Sequence, residues 1–312
     1  MKPKVLTIVA TFNAGPYITD CLNSLKASTV DTDVIIIDNG STDGTIENIQ
    51  SRFPELELVV SETNLGFGKA NNIGLRKALK GNYDFVFLLN QDAWLQTDTL
   101  SELINFHLSN PEYGILSPLH LNGAGDAIDP KFASNLHLRN PKYLDDLLFE
   151  RVQEAYDVKF VNAALWLIPL KILQDVGGFN EFYFMYGEDG DLCERVRYHG
   201  MKIGIVPKAR GHHARYNAYY AQKKGLSNVL FTARNWRRWS YEKVTCLSNT
   251  TRQGFLKSIE DAIIGITTKT TKRQFSTAIG IAAGWWIFFF TYPISLRDRR
   301  LIARPGPHFI SN

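Results

Sequence analysis

The first ninety or so residues alternate between short apolar runs and stretches with helical spacing. Val5–Ala10 is an apolar run bounded by Gly and Pro, as expected of a strand buried on both faces. Tyr17 to Ala27 places Ile18, Cys21, Leu22 and Leu25 on one helical face. Val34–Ile37 is a second run, Thr45 to Phe53 a second helix, Leu56–Val60 a third strand and Lys69–Leu79 a third helix. Phe85–Leu89 is a fourth strand, ending at Asn90-Gln91-Asp92. This alternation predicts an α/β fold with a mostly parallel, doubly wound sheet and helices on both faces. Ligands of such sheets bind beyond the C-terminal ends of the strands, where the polar clusters of this chain fall.

From Pro111 to Asp157 the pattern loosens and assigns no element. Phe160–Ile168 is apolar again and leads through a short helix to Val176 and Gly177-Gly178-Phe179. Asp191 to His199 reads as a helix, and Lys202–Val206 as a late strand closed by Pro207. Ala278 to Leu296 carries no charge, is rich in Trp and Phe, and is flanked by Lys272, Arg273, Arg297, Arg299 and Arg300. Its length approaches that of a membrane span, but Gly, Thr, Pro and Ser weaken it; aromatics beside basic residues suit an interfacial anchor. A helix covering the catalytic domain is the alternative.

Composition adds a division of labour. The 312 residues are 45% hydrophobic and 21% charged, with a net charge of +4. From Arg210 onward there are 17 Lys and Arg against 4 Asp and Glu, so the preceding residues are net acidic. We therefore expect a main α/β domain over 1–215 and a helical, basic, aromatic region over 216–312 whose partner is anionic, such as a membrane leaflet. Three scattered cysteines, Cys21, Cys193 and Cys246, indicate neither a zinc site nor a disulfide framework and suit a reducing compartment. The N-terminal apolar run is too short for a signal peptide and reads as the first strand.

Three acidic clusters carry candidate chemistry. Asp38-Asn39-Gly40-Ser41-Thr42-Asp43-Gly44 follows a buried strand; its carboxylates and amides suit a nucleobase or ribose, or simply a tight turn with a helix cap. Asp92, at another strand end, suits a hard divalent ion that keeps water and phosphate oxygens, or is a solvated loop acid. Gly187-Glu188-Asp189-Gly190-Asp191 crowds three carboxylates before a helix containing Arg195, a setting for a general base or an acidic helix start favoured by the dipole. The spacing of a calcium loop is missing.

In order along the chain, Thr11-Phe12-Asn13, Ile36-Ile37-Asp38-Asn39-Gly40-Ser41-Thr42-Asp43-Gly44, Asn64-Leu65-Gly66-Phe67-Gly68-Lys69-Ala70-Asn71-Asn72-Ile73-Gly74, Asn90-Gln91-Asp92 and Gly177-Gly178-Phe179 through Tyr183-Phe184-Met185-Tyr186-Gly187-Glu188-Asp189 resemble the motifs of family 2 glycosyltransferases of GT-A fold. The likeness covers roughly residues 4 to 215 and is greatest to rhamnosyltransferase-like and galactofuranosyltransferase-like members. It implies that Asp38, with Thr11, Asn13, Asn39 and Ser41, lines the nucleotide pocket. Asn64, Gly66, Lys69, Asn72, Asn90 and Gln91 would complete the donor site. Asp92 would hold a Mg2+ or Mn2+ ion on the diphosphate, with His213, or the adjacent His212, as a second ligand. Asp189, beside Glu188, would deprotonate the acceptor hydroxyl, and Trp166 and Asp191 are candidates for acceptor contacts. Asn90 departs from the family's aspartate and removes one negative charge, which leaves more of the metal to Asp92.

The implied reaction is a single displacement: a divalent ion neutralises the departing diphosphate while a carboxylate takes the acceptor proton, with inversion at the sugar carbon. The donor implied is a dTDP- or UDP-sugar, rhamnose first, and the acceptor a glycan or lipid-linked hydroxyl in cell-surface polysaccharide synthesis at the cytoplasmic face of the membrane. A polyprenyl-phosphate glycosyl synthase is the competitor within the family. A nicotinamide dehydrogenase would need Gly-x-Gly-x-x-Gly after the first strand, where only Gly15 stands. A nucleotidyltransferase would lead with a basic loop, yet no basic residue lies between Val5 and Cys21. A non-catalytic protein binding anionic polymers would explain the basic tail but not acids at successive strand ends. Trp and Arg in Asn235-Trp236-Arg237-Arg238-Trp239 suit RNA stacking, but no recognition fold accompanies them, so nucleic acid is not an expected partner.

Overall fold

The structure, a computed structural model, describes residues 2–139, 142–215 and 225–311. The chain divides into two compact units, one formed by Met1–Tyr216 with Pro305–Asn312 and the other by Asn217–Arg304.

The first unit opens as β1 (Val5–Thr11), α1 (Ile18–Lys26), β2 (Thr32–Asp38), α2 (Thr45–Arg52), β3 (Glu57–Val60), α3 (Phe67–Lys80) and β4 (Phe85–Leu89). These strands pair in parallel in the order β3-β2-β1-β4. Their apolar runs are buried on both faces: one cluster packs Leu6, Ile8, Ile35, Ile37, Val86 and Leu88 against α3, and the other packs Val5, Val9, Ile36, Phe85 and Phe87 against α1. Parallel register brings the ends of β1 and β2 level, with Thr11 opposite Asp38.

Then follow β5 (Ala93–Leu95), α4 (Thr99–Ser109), β6 (Tyr113–Leu121), α5 (Pro130–Arg139), α6 (Lys142–Leu148), β7 (Tyr156–Asp157), β8 (Leu165–Pro169), α7 (Leu170–Asp175), α8 (Glu188–Tyr198) and β9 (Lys202–His213). The sheet continues through β4-β8-β6-β9-β5, with β7 also on β9. β8 is antiparallel to β4 and to β6, so the doubly wound half is parallel and the sheet as a whole is mixed.

Several expectations need correction. The stretch left unassigned contains a full central strand, β6, and two helices. Pro207 does not close the late strand: β6 pairs Pro118 with Val206 and then Leu119 with Arg210, so Pro207, Lys208 and Ala209 form a bulge and the ladder resumes to His213. A proline without an amide donor is accommodated at such a bulge. The helix expected from Asp191 starts at Glu188 instead, its first turn carrying Glu188, Asp189 and Asp191 at the positive end of the helix dipole.

The second unit consists of α9 (Gly225–Thr245), α10 (Thr251–Thr271) and α11 (Phe275–Ile302). Thr250 caps α10 through a reciprocal box with Gln253. Gly280 and Gly284 let α11 press on α9; a Cβ at Gly284 would stand 2.4 Å from the Ala233 carbonyl oxygen. α11 is long and apolar enough to cross a membrane, with Pro293 inside it. It exposes a stripe of Phe275, Ile279, Trp286, Phe290 and Leu301.

Candidate active site

The ends of β1 and β2 build one wall. Asp38 is fully buried; its Oδ1 accepts from the amides of Gly40 (3.0 Å) and Ser41 (2.9 Å), and its Oδ2 from the Ser41 hydroxyl (2.5 Å). The carboxylate thus shapes its own loop. Ser41 in turn accepts from the Asn13 amide at 2.8 Å, and Asn13 Oδ1 accepts from the Thr42 amide at 2.9 Å. Asn13 sits in the left-handed region, φ 52°. Between these two loops lies Thr11, buried, with no partner for its hydroxyl among the described residues. A buried hydroxyl in that state is costly and suits a site completed by a ligand. Asp43 is the turn acid: burial pushes its carboxyl up, but hydrogen bonds from Thr45 and from the Gly15 amide outweigh that and hold it below the usual range.

Asn39 ties this wall to the next, accepting from the Leu65 amide at 3.1 Å and donating to the Gly66 carbonyl at 3.4 Å. Asn64 Oδ1 accepts from the Gly66 amide at 2.9 Å. Gly66 has φ 85°, and a Cβ there would stand 2.1 Å from the Phe184 carbonyl oxygen, which accepts from the Phe67 amide. Only glycine serves both needs. The start of α3 is thereby fastened to the loop that delivers Glu188 and Asp189. Lys69 is exposed on the first turn of α3. Asn72 turns inward instead, exchanging hydrogen bonds with both backbone groups of Phe179 (2.8 and 2.9 Å).

Gln91 pairs with the Phe12 backbone through both its amide atoms (2.6 and 3.2 Å), and the Asn90 amide donates to the Ala164 carbonyl. Asp92 immediately precedes β5, whose Ala93 lies opposite His213 on β9. His213 Nε2 is 3.5 Å from Asp92 Oδ1, and its Nδ1 is 3.9 Å from Asp129 Oδ2. His212 faces elsewhere, stacked on Trp94. A carboxylate, a histidine and a second carboxylate behind the ring suit a divalent cation. Among the described residues no three His, Cys, Asp or Glu side chains converge on one point, so an ion here would draw the rest of its shell from phosphate oxygens and water.

Behind His213 stand residues that the sequence did not flag. Asp129, 1% exposed, accepts from the Phe132 amide and pairs with Arg215. His120 is fully buried against Phe132, with Nε2 2.9 Å from the Ser117 hydroxyl; burial first, then His213 and Arg215, pushes its pKa far down. The only sequence signal was an acid before a proline, Asp129-Pro130. Cys21, beside Asn90, has its thiol pushed up by burial and by Asp92 and Asp20.

Asp189 is half-buried, its Oδ1 accepting from the Gly190 amide at 2.8 Å; Glu188 is buried beside Gly68. Phe184, Met185 and Tyr186, just ahead of them, are exposed. Asp191 lies deeper, bonded to the buried Arg195 at 2.8 Å. Trp166 is fully buried, stacked on Phe179, with its indole N–H unpartnered among the described residues. The structure therefore gathers the Asp38, Asn39 and Gly66 group, the Asp92 and His213 pair and the Glu188–Asp189 turn along one edge of the sheet. It sets Trp166, Asn72 and Asp191 inside the fold.

Comparison with known proteins identifies the family and the fold. Residues 7–158 match the model for glycosyl transferase family 2, and residues 151–222 that for the N-terminal domain of galactosyltransferase. An N-acetylglucosaminyl-diphospho-decaprenol L-rhamnosyltransferase of Mycobacterium tuberculosis is 30% identical over 229 residues, 66% of this chain and 74% of that protein. The chain belongs to glycosyltransferase family 2. A hexosyltransferase of low-salt glycan biosynthesis, Agl10 of Haloferax volcanii, is 27% identical to this glycosyltransferase over 48% of the chain and 49% of its own length. Among solved structures, the Pyrobaculum calidifontis mannosyltransferase PcManGT with GDP-Man and Mn2+ superposes with a TM-score of 0.56 at 16% identity, over 97% of this chain and 84% of that one. Staphylococcus aureus TarS 1-349 with UDP-GlcNAc gives 0.53 at 18% identity, over 82% and 72%. At these identities the likeness establishes a shared GT-A fold.

Proposed function

We propose that this glycosyltransferase is metal-dependent and inverting, and that it moves a sugar from a nucleoside-diphosphate donor to a hydroxyl of a lipid-linked or glycan acceptor. The observation that carries the reading is the Asp92–His213 pair, a two-ligand metal site backed by Asp129 on the same sheet edge as the Asp38 loop. The Asp38, Asn39 and Ser41 loop with Thr11 would take the base and ribose. Asp92 and His213 would hold Mg2+ or Mn2+, and such an ion neutralises charge developing on a diphosphate. Asp189 receives the acceptor proton as the acceptor oxygen bonds to the anomeric carbon. The carbon–oxygen bond to the diphosphate breaks in the same step, and the leaving group keeps the electron pair. One base and no enzyme nucleophile give inversion.

Rhamnose is the sugar favoured by likeness to the mycobacterial relative, whose name also specifies a diphospho-decaprenol-linked acceptor, and dTDP is its nucleotide in this reading. A membrane-held acceptor accords with the exposed aromatic stripe of α11 and the basic residues around it, which suit the anionic cytoplasmic leaflet. The deciding experiment is calorimetric titration with UDP, dTDP and GDP and their sugars, with and without Mn2+. Metal-dependent binding of one nucleotide, strengthened by one sugar, is expected. Absence of binding to all of them with metal present would overturn the reading.

A further inference from the structure

The first unit is completed by a segment far removed in sequence from the rest of it. Pro305–Ile310 returns to the turn that leads into α8, and its contacts there are specific. The Gly306 amide donates to the Asp175 carbonyl at 2.8 Å, and the Gly178 amide donates to the His308 carbonyl at 2.9 Å. The Phe309 carbonyl accepts from Asn72 Nδ2 (3.4 Å) and Arg76 Nη1 (3.3 Å). The Phe309 ring lies 5.5 Å from the Arg195 guanidinium. Ile310 is 2% exposed and belongs to the main core cluster with Leu75, Leu173 and Phe179.

Residues on the other side of the contact are shaped for it. Gly177 has φ 89°, and a Cβ there would stand 2.3 Å from the His308 carbonyl oxygen; one at Gly178 would stand 2.5 Å from Ile310 Cγ2. Phe309 itself holds φ 67°, a conformation that a bulky side chain adopts only when its surroundings impose it. The same turn is gripped from beneath by Arg195, whose Nη1 donates to the Val176 carbonyl and Nη2 to the Gly178 carbonyl at 2.8 and 2.6 Å. Arg195 lies on α8, two turns along the helix from Asp189.

We infer that Pro305–Ile310 is a positioning element of the active site: it clamps the 176–180 turn against Arg195 and Asn72, and through that turn fixes where α8 presents Asp189. The segment's effect falls on the acceptor side, because these contacts are to Asn72, Arg76, Asp175, Gly178 and Arg195 rather than to the Asp38 loop or the Asp92–His213 pair. The inference rests on the proposed role of Asp189, and its test separates the two.

Full-length Phe309→Ala and Ile310→Ala chains are compared with Ile49→Ala, which empties a buried position of the other core cluster. Hydrogen exchange is measured first, without any ligand. The amides of 176–199 should exchange about tenfold faster or more in the tail variants, with β1 and β2 unchanged. Turnover and nucleotide affinity follow, on the donor that calorimetry identifies. Here kcat should fall about tenfold or more with nucleotide Kd within about twofold, since a small displacement of a catalytic group far outweighs loss of bulk stability. Ile49→Ala should lower the melting temperature without either effect. Unchanged exchange over 176–199, or a kcat loss that Ile49→Ala reproduces, overturns the positioning role. Faster local exchange with kcat intact would show that the clamp exists and that Asp189 is not the base.

Discussion

Arg195 and Asp191 form an ion pair, Nε to Oδ2 at 2.8 Å, with both side chains almost wholly removed from solvent. The pair lies inside the helix that carries the proposed base, so Asp191 serves the fold where the sequence suggested an acceptor contact. Removing one partner strands a buried charge, and Asp191→Ala is expected to cost about 3–5 kcal/mol in urea unfolding. Replacing both residues, as Asp191→Leu with Arg195→Met, should not restore stability. The Val176 and Gly178 carbonyls would still lack their donors.

Asp189→Asn should lower turnover by about 10²- to 10⁴-fold, the range expected for losing a general base, with nucleotide binding by calorimetry unchanged. Glu188 is buried where Asp189 is half-exposed, so Glu188→Gln should retain more activity. A fully active Asp189→Asn enzyme would sink the assignment.

Asp92→Ala and His213→Ala are each expected to weaken the Mn2+-dependent part of nucleotide binding by about tenfold or more. His212→Ala should leave it intact, because that ring stacks on Trp94. Titration of Mn2+ followed by electron paramagnetic resonance reads this directly. An Asp92→Ala chain with unaltered Mn2+ dependence would remove the pair from the metal site.

Stability should decline as the pH falls below about 6.5. Burial holds His107 and His120 below the ordinary histidine range, so the unfolded chain takes up protons there that the folded chain refuses. The stabilisation is complete above the unfolded value, is lost progressively as pH falls toward the folded values, and then levels off. For His120 the slope is at most about 1.4 kcal/mol per pH unit. Thermal melts from pH 8 to 5.5 in EDTA measure it, and His107→Gln should flatten the curve; a chain equally stable across that range would contradict the burial argument.

What the sequence revealed and concealed follows from how each segment is satisfied. β1, β2 and β4 are buried on both faces, and apart from Thr7 their buried polar residues stand at the strand ends, so their apolar runs announce them. β6 is just as buried but carries Ser117 and His120, whose side chains meet at 2.9 Å, and their polarity breaks the pattern. Pro207 reads as a stop because a bulge cannot be seen from one strand alone. At the candidate site, Asp38, Asp92 and Asp189 stand at ends of elements, where the sequence placed them. Asn72 belongs to the same run of motif residues, yet its amide is spent on Phe179, which only the folded chain shows. Asp129 and Arg215 became visible once β6 and β9 were laid side by side.

The return of Pro305–Ile310 also sets a timetable for making the protein. Asn72 meets Phe309 across 237 positions of chain, and Ile310 fills a place in the core that the earlier residues leave for it. Domains emerging from a ribosome ordinarily fold in the order of their synthesis. Here β1 to β4 are made early, but the place of Ile310 in their core stays unfilled until α9, α10 and α11 have been translated. A product arrested anywhere within those helices would carry every motif of the catalytic site and still expose the seat of Ile310 to chaperones and proteases. Translation as far as Ile310 is in this sense a precondition for a filled core.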